Sequence, residues 1–148
     1  MSLKLNNPIW DKAKRANVYS KAIYAVGVEA VKDVAANIDK SVPAGRTYRR
    51  PKLKFSGRGA ARKGVVTGYK LHKASAKGQP PAKDTKRLYK GTKVKRKAAF
   101  SVIVYNDVPY AVYLEPPAKL NRPFLEKPIL ANRKKYVEMI DKASRTLT

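Results

Sequence analysis

The chain contains no cysteine, a single histidine (His72) and only ten acidic residues in 148. Without cysteine there is no disulfide, no thiolate nucleophile and no cysteine-based zinc site. One histidine excludes any two-histidine metal site, and a triad around it would need a hydroxyl and a carboxylate from distant parts of the chain. Long apolar runs are missing too, since nothing approaches the roughly 18–20 uncharged residues of a membrane span. The opening decapeptide, MSLKLNNPIW, has no apolar signal core, so export is not expected. Positive charge is what the sequence has in excess. Thirty-four Lys and Arg give a formal charge of +24, and the 43% hydrophobic content suffices for one core in a single domain, 1–148.

The charge is concentrated. Residues 46–97 hold nineteen Lys and Arg against one acid, Asp84, a net of +18, while the segments on either side carry +3 each. Self-repulsion of that size opposes compaction unless anions or an acidic partner compensate. The flanks therefore read as a folded body, and 46–97 as a basic excursion that orders on assembly. Its cations at Arg46, Arg49, Arg50, Lys52, Lys54 and Arg58 are expected partner or DNA contacts. So are Arg62, Lys63, Arg87, Lys95 and Arg96. Tyr48, Phe55, Tyr69 and Tyr89 interleave with them and could stack on unpaired bases. No zinc-finger, RNP or helix-turn-helix pattern accompanies the charge, so nothing points to sequence reading. A solvated surface that docks on an acidic protein explains the same residues equally well.

Periodicity predicts an α+β fold. Asn7 caps a helix over about 7–41, Pro8 suits its first position, and Ile23, Val26, Ala30, Val34 and Ile38 form an apolar stripe. Gly27 marks a bend or a close contact, and Val42-Pro43-Ala44-Gly45 ends the helix. Val65–Lys73 reads as a short strand, and Asp84 would cap a helical turn holding Leu88 and Tyr89. Phe100, Val102 and Val104 alternate with Ser101, Ile103 and Tyr105, which places a strand at about 98–105. Pro109–Glu115 is a helical turn or a second strand. A last helix runs over about 128–146. Two helices thus pack on a small, mainly antiparallel sheet, with a long basic loop or arm.

No motif calls for a cofactor, a metal or catalysis. The run from Gly57 to Gly64 fails as a phosphate loop, because Val65 follows the second glycine where lysine is required. It fails as a dinucleotide fingerprint because Arg62 stands where glycine is needed. Glu115 is the one acid in an aromatic context, beside Tyr110 and Tyr113, and no second carboxylate is near it for acid–base work. An ion pair with an arginine, Arg122, is its expected role.

The order of several short motifs resembles that of the small head–tail joining proteins of long-tailed bacteriophages (tail-component, neck or tail-completion proteins). The first is Val42-Pro43-Ala44-Gly45-Arg46-Thr47-Tyr48-Arg49-Arg50, which follows the opening helix. The second is Ala74-Ser75-Ala76-Lys77-Gly78-Gln79-Pro80-Pro81-Ala82 leading into Asp84-Thr85-Lys86-Arg87-Leu88. After a strand come Tyr110-Ala111-Val112-Tyr113-Leu114-Glu115 and Arg122-Pro123-Phe124-Leu125. The likeness covers about residues 40–145. Two departures stand out: Lys86 replaces the usual glycine, and Pro116-Pro117 replaces Phe-Gly-Thr after the glutamate. The resemblance implies a non-enzymatic virion protein of the phage neck, made in the host cytoplasm. It would form a ring, with six copies in the family's usual symmetry, between a portal or head-closure protein and a tail tube or terminator protein. Packaged DNA would pass through the channel. The alternative is a basic nucleic-acid-binding or ribosome-associated protein.

Overall fold

A computed structural model of the chain describes residues 8–57, 62–82, 86–118 and 120–146. Asn7, Arg58 and Asp84, to which the sequence assigned roles, lie outside the described residues. The first helix, α1, spans Pro8–Asp39. It buries Gly27, Ala30, Val34 and Ile38, one position per turn along a single stripe. Two antiparallel hairpins follow. One pairs β1 (Thr47–Ser56) with β2 (Lys63–Lys73), the other β3 (Thr92–Ala98) with β4 (Ser101–Asn106). A short helix, α2 (Arg87–Gly91), leads into β3, and a 3-10 turn at Pro109–Tyr113 leaves β4. The chain ends in α3 (Glu126–Ala131) and α4 (Arg133–Arg145), broken at Asn132.

The fold is α+β, as the periodicity predicted, but its strands form two separate two-stranded sheets. Only β3–β4 belongs to the body. Gly27 is where α1 crosses it: a Cβ there would lie 2.6 Å from Val94 Cγ2, so the residue marks close packing on the sheet. The core is built from Val34, Ile38, Leu88, Val108, Ala111, Leu114 and Phe124, with Leu125 and Ile129 against it. Asn106 ties β4 to α2 and β3 by donating to Leu88 O (2.7 Å) and Thr92 Oγ1 (2.9 Å). Lys93 and Asp107 form an ion pair alongside. On the other side, α4 is pinned to α1 by polar contacts. Tyr136 donates its hydroxyl to Asp33 (2.7 Å), and Lys135 bridges Glu29 (2.9 Å) and Asp33 (3.0 Å).

The basic excursion is the main correction. Residues 46–97 are not a loop awaiting a partner: they contain β1, β2, α2 and most of β3. Local antiparallel pairing satisfies the backbone of a segment too charged to form a core of its own. The short strand expected at Val65–Lys73 is real and two residues longer. The strand expected at 98–105 starts at Ser101, after the turn that joins it to β3. Among the described residues no helix is long and apolar enough to cross a membrane.

Candidate functional site

Hairpin β1–β2 projects from the body with both faces open, and its register sorts the side chains by chemistry. Cross-strand partners share a face and alternate residues change face. One face carries Arg49 opposite Leu71, Pro51 opposite Tyr69, Leu53 opposite Val66, and Phe55 opposite Gly64. Leu53, Phe55, Val66, Tyr69 and Leu71 remain between 48% and 70% exposed. Phe55 lies across Gly64, with its Cε1 2.9 Å from where a Cβ would stand, and the Arg62 guanidinium covers its ring at 4.4 Å. The opposite face carries Arg50 opposite Lys70, then Lys52, then Lys54 opposite Val65, and Lys63 opposite Ser56. A register shift at Lys52/Leu53 leaves Thr67 as the extra residue and keeps both stripes continuous through the irregularity.

The base of the hairpin is locked. Gly45 N–H donates to Ala74 O (2.7 Å) and Ala74 N–H to Arg46 O (3.0 Å). Tyr48 and His72 pack edge to face with ring centres 5.1 Å apart. The chain after β2 folds back over the body, fixed by Ser41 Oγ to Pro80 O (2.7 Å) and by Gly78 N–H to Asn121 O (2.7 Å).

A cavity of about 260 Å³ lies between this base, α2 and the 3-10 turn. Arg50, His72, Lys86, Arg87 and Arg122 supply its basic wall, and Tyr48, Tyr89 and Tyr110 its aromatic one. Ile38, Leu88 and Leu114 form its apolar floor, and no Asp or Glu is among its described lining residues. Burial, followed by the charges of Arg50, Lys70 and Arg122, holds the His72 pKa below the usual imidazole value. Among the described residues, Ser75 Oγ, on a residue only 1% exposed, has no hydrogen-bond partner, and buried Arg122 Nε has none either. Leaving such a group unpaired costs on the order of 1–3 kcal/mol.

Glu115 does something other than pair with Arg122. Its carboxylate accepts the backbone N–H groups of Phe124 (3.1 Å), Leu125 (3.3 Å) and Glu126 (2.9 Å). These are amides at the entry to α3 that no helical carbonyl can reach. Arg122 instead donates its backbone N–H to Leu114 O (2.7 Å) and turns its side chain to the cavity. Tyr110 lines the cavity as well, while Ala111 and Phe124 are core, and Pro123 joins Arg122 to Phe124.

The expected contact cations therefore divide. Arg50, Lys52, Lys54 and Lys63 share one face of the hairpin, Arg46 and Arg49 stand exposed at its base, and Arg87 opens α2 at the cavity. Lys95 lies exposed on β3. Arg96, also exposed, is engaged by α1: it donates to Ser20 Oγ (2.6 Å) and sits 4.8 Å over the Tyr24 ring. Sequence reasoning missed β1, and it named Ser75 and Lys86 only within motifs, with no sign that they line a cavity. Among the described residues no group of three or more His, Asp or Glu could hold a metal ion. Comparison with protein-family models, curated proteins and solved structures found no match to this chain.

Proposed function

We propose that the protein is a structural subunit of the bacteriophage neck that assembles into a homo-oligomeric ring joining the head connector to the tail tube, with hairpin β1–β2 as its assembly arm. The observation that carries this reading is the two-faced hairpin, apolar on one side and cationic on the other, with neither side covered by the body. Monomers rarely leave a contiguous apolar patch of more than a few hundred Å² in water. In a cyclic ring each interface joins two different patches, so a projecting arm on one copy can meet the body of the next. The cationic face then suits an acidic surface on a portal, head-closure or tube protein, or the packaged DNA.

The motif order described above supports this reading, and so does one conformational detail. Lys86 adopts φ 58, ψ 5, the left-handed region, at the position where the phage family has glycine. A backbone that needs glycine there is the backbone this chain has.

The test is the particle formed by the full chain, alone and mixed with the portal and tube proteins of the same phage, read by native mass spectrometry and electron microscopy. Rings or a stoichiometric complex are expected, and a Leu53→Lys/Tyr69→Lys variant should lose them while its body stays folded. A chain that stays monomeric with every such partner refutes the reading. The second reading, a nucleic-acid-binding protein, rests on the cationic face alone. It predicts DNA or RNA binding that falls steeply with salt and weakens when Lys52, Lys54 and Lys70 are neutralised.

A further inference from the structure

We infer that the cationic face of hairpin β1–β2 binds the phosphate backbone of duplex DNA without reading its sequence, and leaves the apolar face free for the next copy. The inference rests on the arm described above and gives that arm's second face its partner.

The charge on this face is unanswered within the chain. Lys52 and Lys54 on β1 and Lys63 and Lys70 on β2 are exposed and share one side of the ribbon. None of the four takes part in an ion pair among the described residues. A second copy is a poor source of the missing anions. Its Glu29 and Asp33 hold Lys135, its Asp107 holds Lys93, and its Glu115 caps α3. Each further copy also brings a charge of +24. Between the Arg50–Lys70 pair and the Ser56–Lys63 pair the ribbon rises by about 20 Å. A duplex of that length carries about twelve phosphates, a continuous anion density that carboxylates scattered over a protein surface do not reach.

What shares the face with the lysines selects a duplex over a single strand. In the sequence, Tyr48, Phe55, Tyr69 and Tyr89 interleave with the cations, as stacking on unpaired bases would require, but strand pairing separates the two. Phe55 and Tyr69 fall on the apolar face, with Arg62 over the Phe55 ring, and Tyr89 belongs to α2. Tyr48 is on the cationic side, but at the anchored end and packed on His72. The lysines instead have Ser56, Val65 and Gly68 beside them. Single strands are gripped by rings that stack on their bases, whereas a duplex covers its bases and offers phosphates. Lysine suits that contact, because its ammonium is a hydrated point charge without the directional fork of arginine.

Shape selects DNA over RNA. A two-stranded ribbon fits the B-form major groove, about 12 Å wide, while the A-form groove is deep and narrow. Lys52 and Lys54 form one row and Lys63 and Lys70 the other, one toward each wall of the groove. The apolar face then points away from the DNA.

The experiment is fluorescence anisotropy of the full chain with a labelled DNA duplex of about 20 base pairs, in two unrelated sequences, from about 50 to about 200 mM salt. The matching single strand, an RNA duplex of the same length and polyglutamate are the comparison ligands. Both DNA sequences should bind equally and at least about tenfold tighter than each comparison ligand, with a log–log salt slope of about −3 or steeper. Lys52→Gln/Lys54→Gln/Lys70→Gln, three exposed positions, should flatten that slope by about 2–3. Leu53→Lys/Tyr69→Lys, on the opposite face, should bind the duplex no more weakly than the wild type. A comparison ligand that binds as tightly as the duplex overturns the proposal, as does an unchanged slope in the triple-lysine variant. Ring formation is read separately by native mass spectrometry: its absence with DNA binding intact refutes the neck reading alone, and rings from a chain that ignores DNA refute this inference alone.

Discussion

Replacing Glu115 tests how the last third of the chain is held. Its carboxylate takes three backbone amides at the entrance to α3 and fixes Phe124, 1% exposed, in the middle of the core. Hydrogen bonds to a charged acceptor are each worth about 1.5–3 kcal/mol, while a lost helix cap costs about 0.5–2 kcal/mol. The Glu126 amide is exposed and can turn to water, so a simple sum overstates the loss. Glu115→Ala should therefore destabilise the chain by about 2–4 kcal/mol, a fall in Tm of about 5–15 °C at this chain length. Glu115→Gln keeps an acceptor but not the charge and should cost about 1 kcal/mol. Arg122→Gln separates the capping role from an ion pair, because Arg122 gives Glu115 nothing and its loss should cost less than Glu115→Ala. Urea unfolding followed by circular dichroism measures all three midpoints. The reasoning fails if Glu115→Ala unfolds with the wild type, or if Arg122→Gln costs as much as Glu115→Ala.

Gly45→Ala would push a methyl against the Ser75 carbonyl, 2.3 Å away, and backbone cannot yield as a side chain can, so a loss of about 1–3 kcal/mol and faster hydrogen exchange at the Ala74 amide are expected. Tyr136→Phe removes the hydroxyl bond to Asp33 and should cost about 1–2 kcal/mol in the urea midpoint, with Lys135 still holding Asp33. Lys86→Gly releases a left-handed residue and should change stability by no more than about 1 kcal/mol, upward, because the strain relieved exceeds the entropy glycine adds to the unfolded chain. His72 has its pKa lowered in the folded chain, so the unfolded state takes up the proton first; stability is complete above about pH 6.5 and declines as pH falls below it. His72→Gln should flatten that part of the pH–stability curve, and an unchanged slope would show the imidazole is not its source.

How much was legible in the sequence follows from the range of each interaction. Helix α1 announces itself because its stripe repeats within one segment, and β4 because its β-branched run, Val102-Ile103-Val104, suits a strand and ends at the turn signal Asn106-Asp107. Strand β1 was missed for the opposite reason. Pro51 and four cations between Arg49 and Lys54 outweigh Leu53 and Phe55 in any local count, although the alternation is there once the partner strand is known. Glu115 was legible as important but not in its role. Arg122 was the obvious partner by charge, whereas the actual donors are three amides that carry no sequence signal. The cavity was invisible, since it draws on Ile38, Tyr48, His72, Ser75, Arg87, Tyr110 and Arg122, which only the fold brings together.

If the hairpin is the assembly arm proposed above, its structure changes what docking has to supply. An arm without structure would lose its conformational freedom on meeting a partner, at several kcal/mol of the interface energy. Here β1 and β2 already satisfy each other's backbone within one chain, so that ordering belongs to folding. A two-stranded ribbon is only marginally stable by itself, and this one is anchored at one end, through Gly45, Ala74 and the Tyr48–His72 pair. Protection of its amides from exchange should therefore be graded, strong near Tyr48 and His72 and weak near Phe55 and Gly64. A docked copy should remove the gradient, because the apolar face it covers runs the full length of the ribbon. Uniform protection in the isolated chain would mean the hairpin is stabilised by something other than its base, and the case for an arm completed by its neighbour would lose its physical footing.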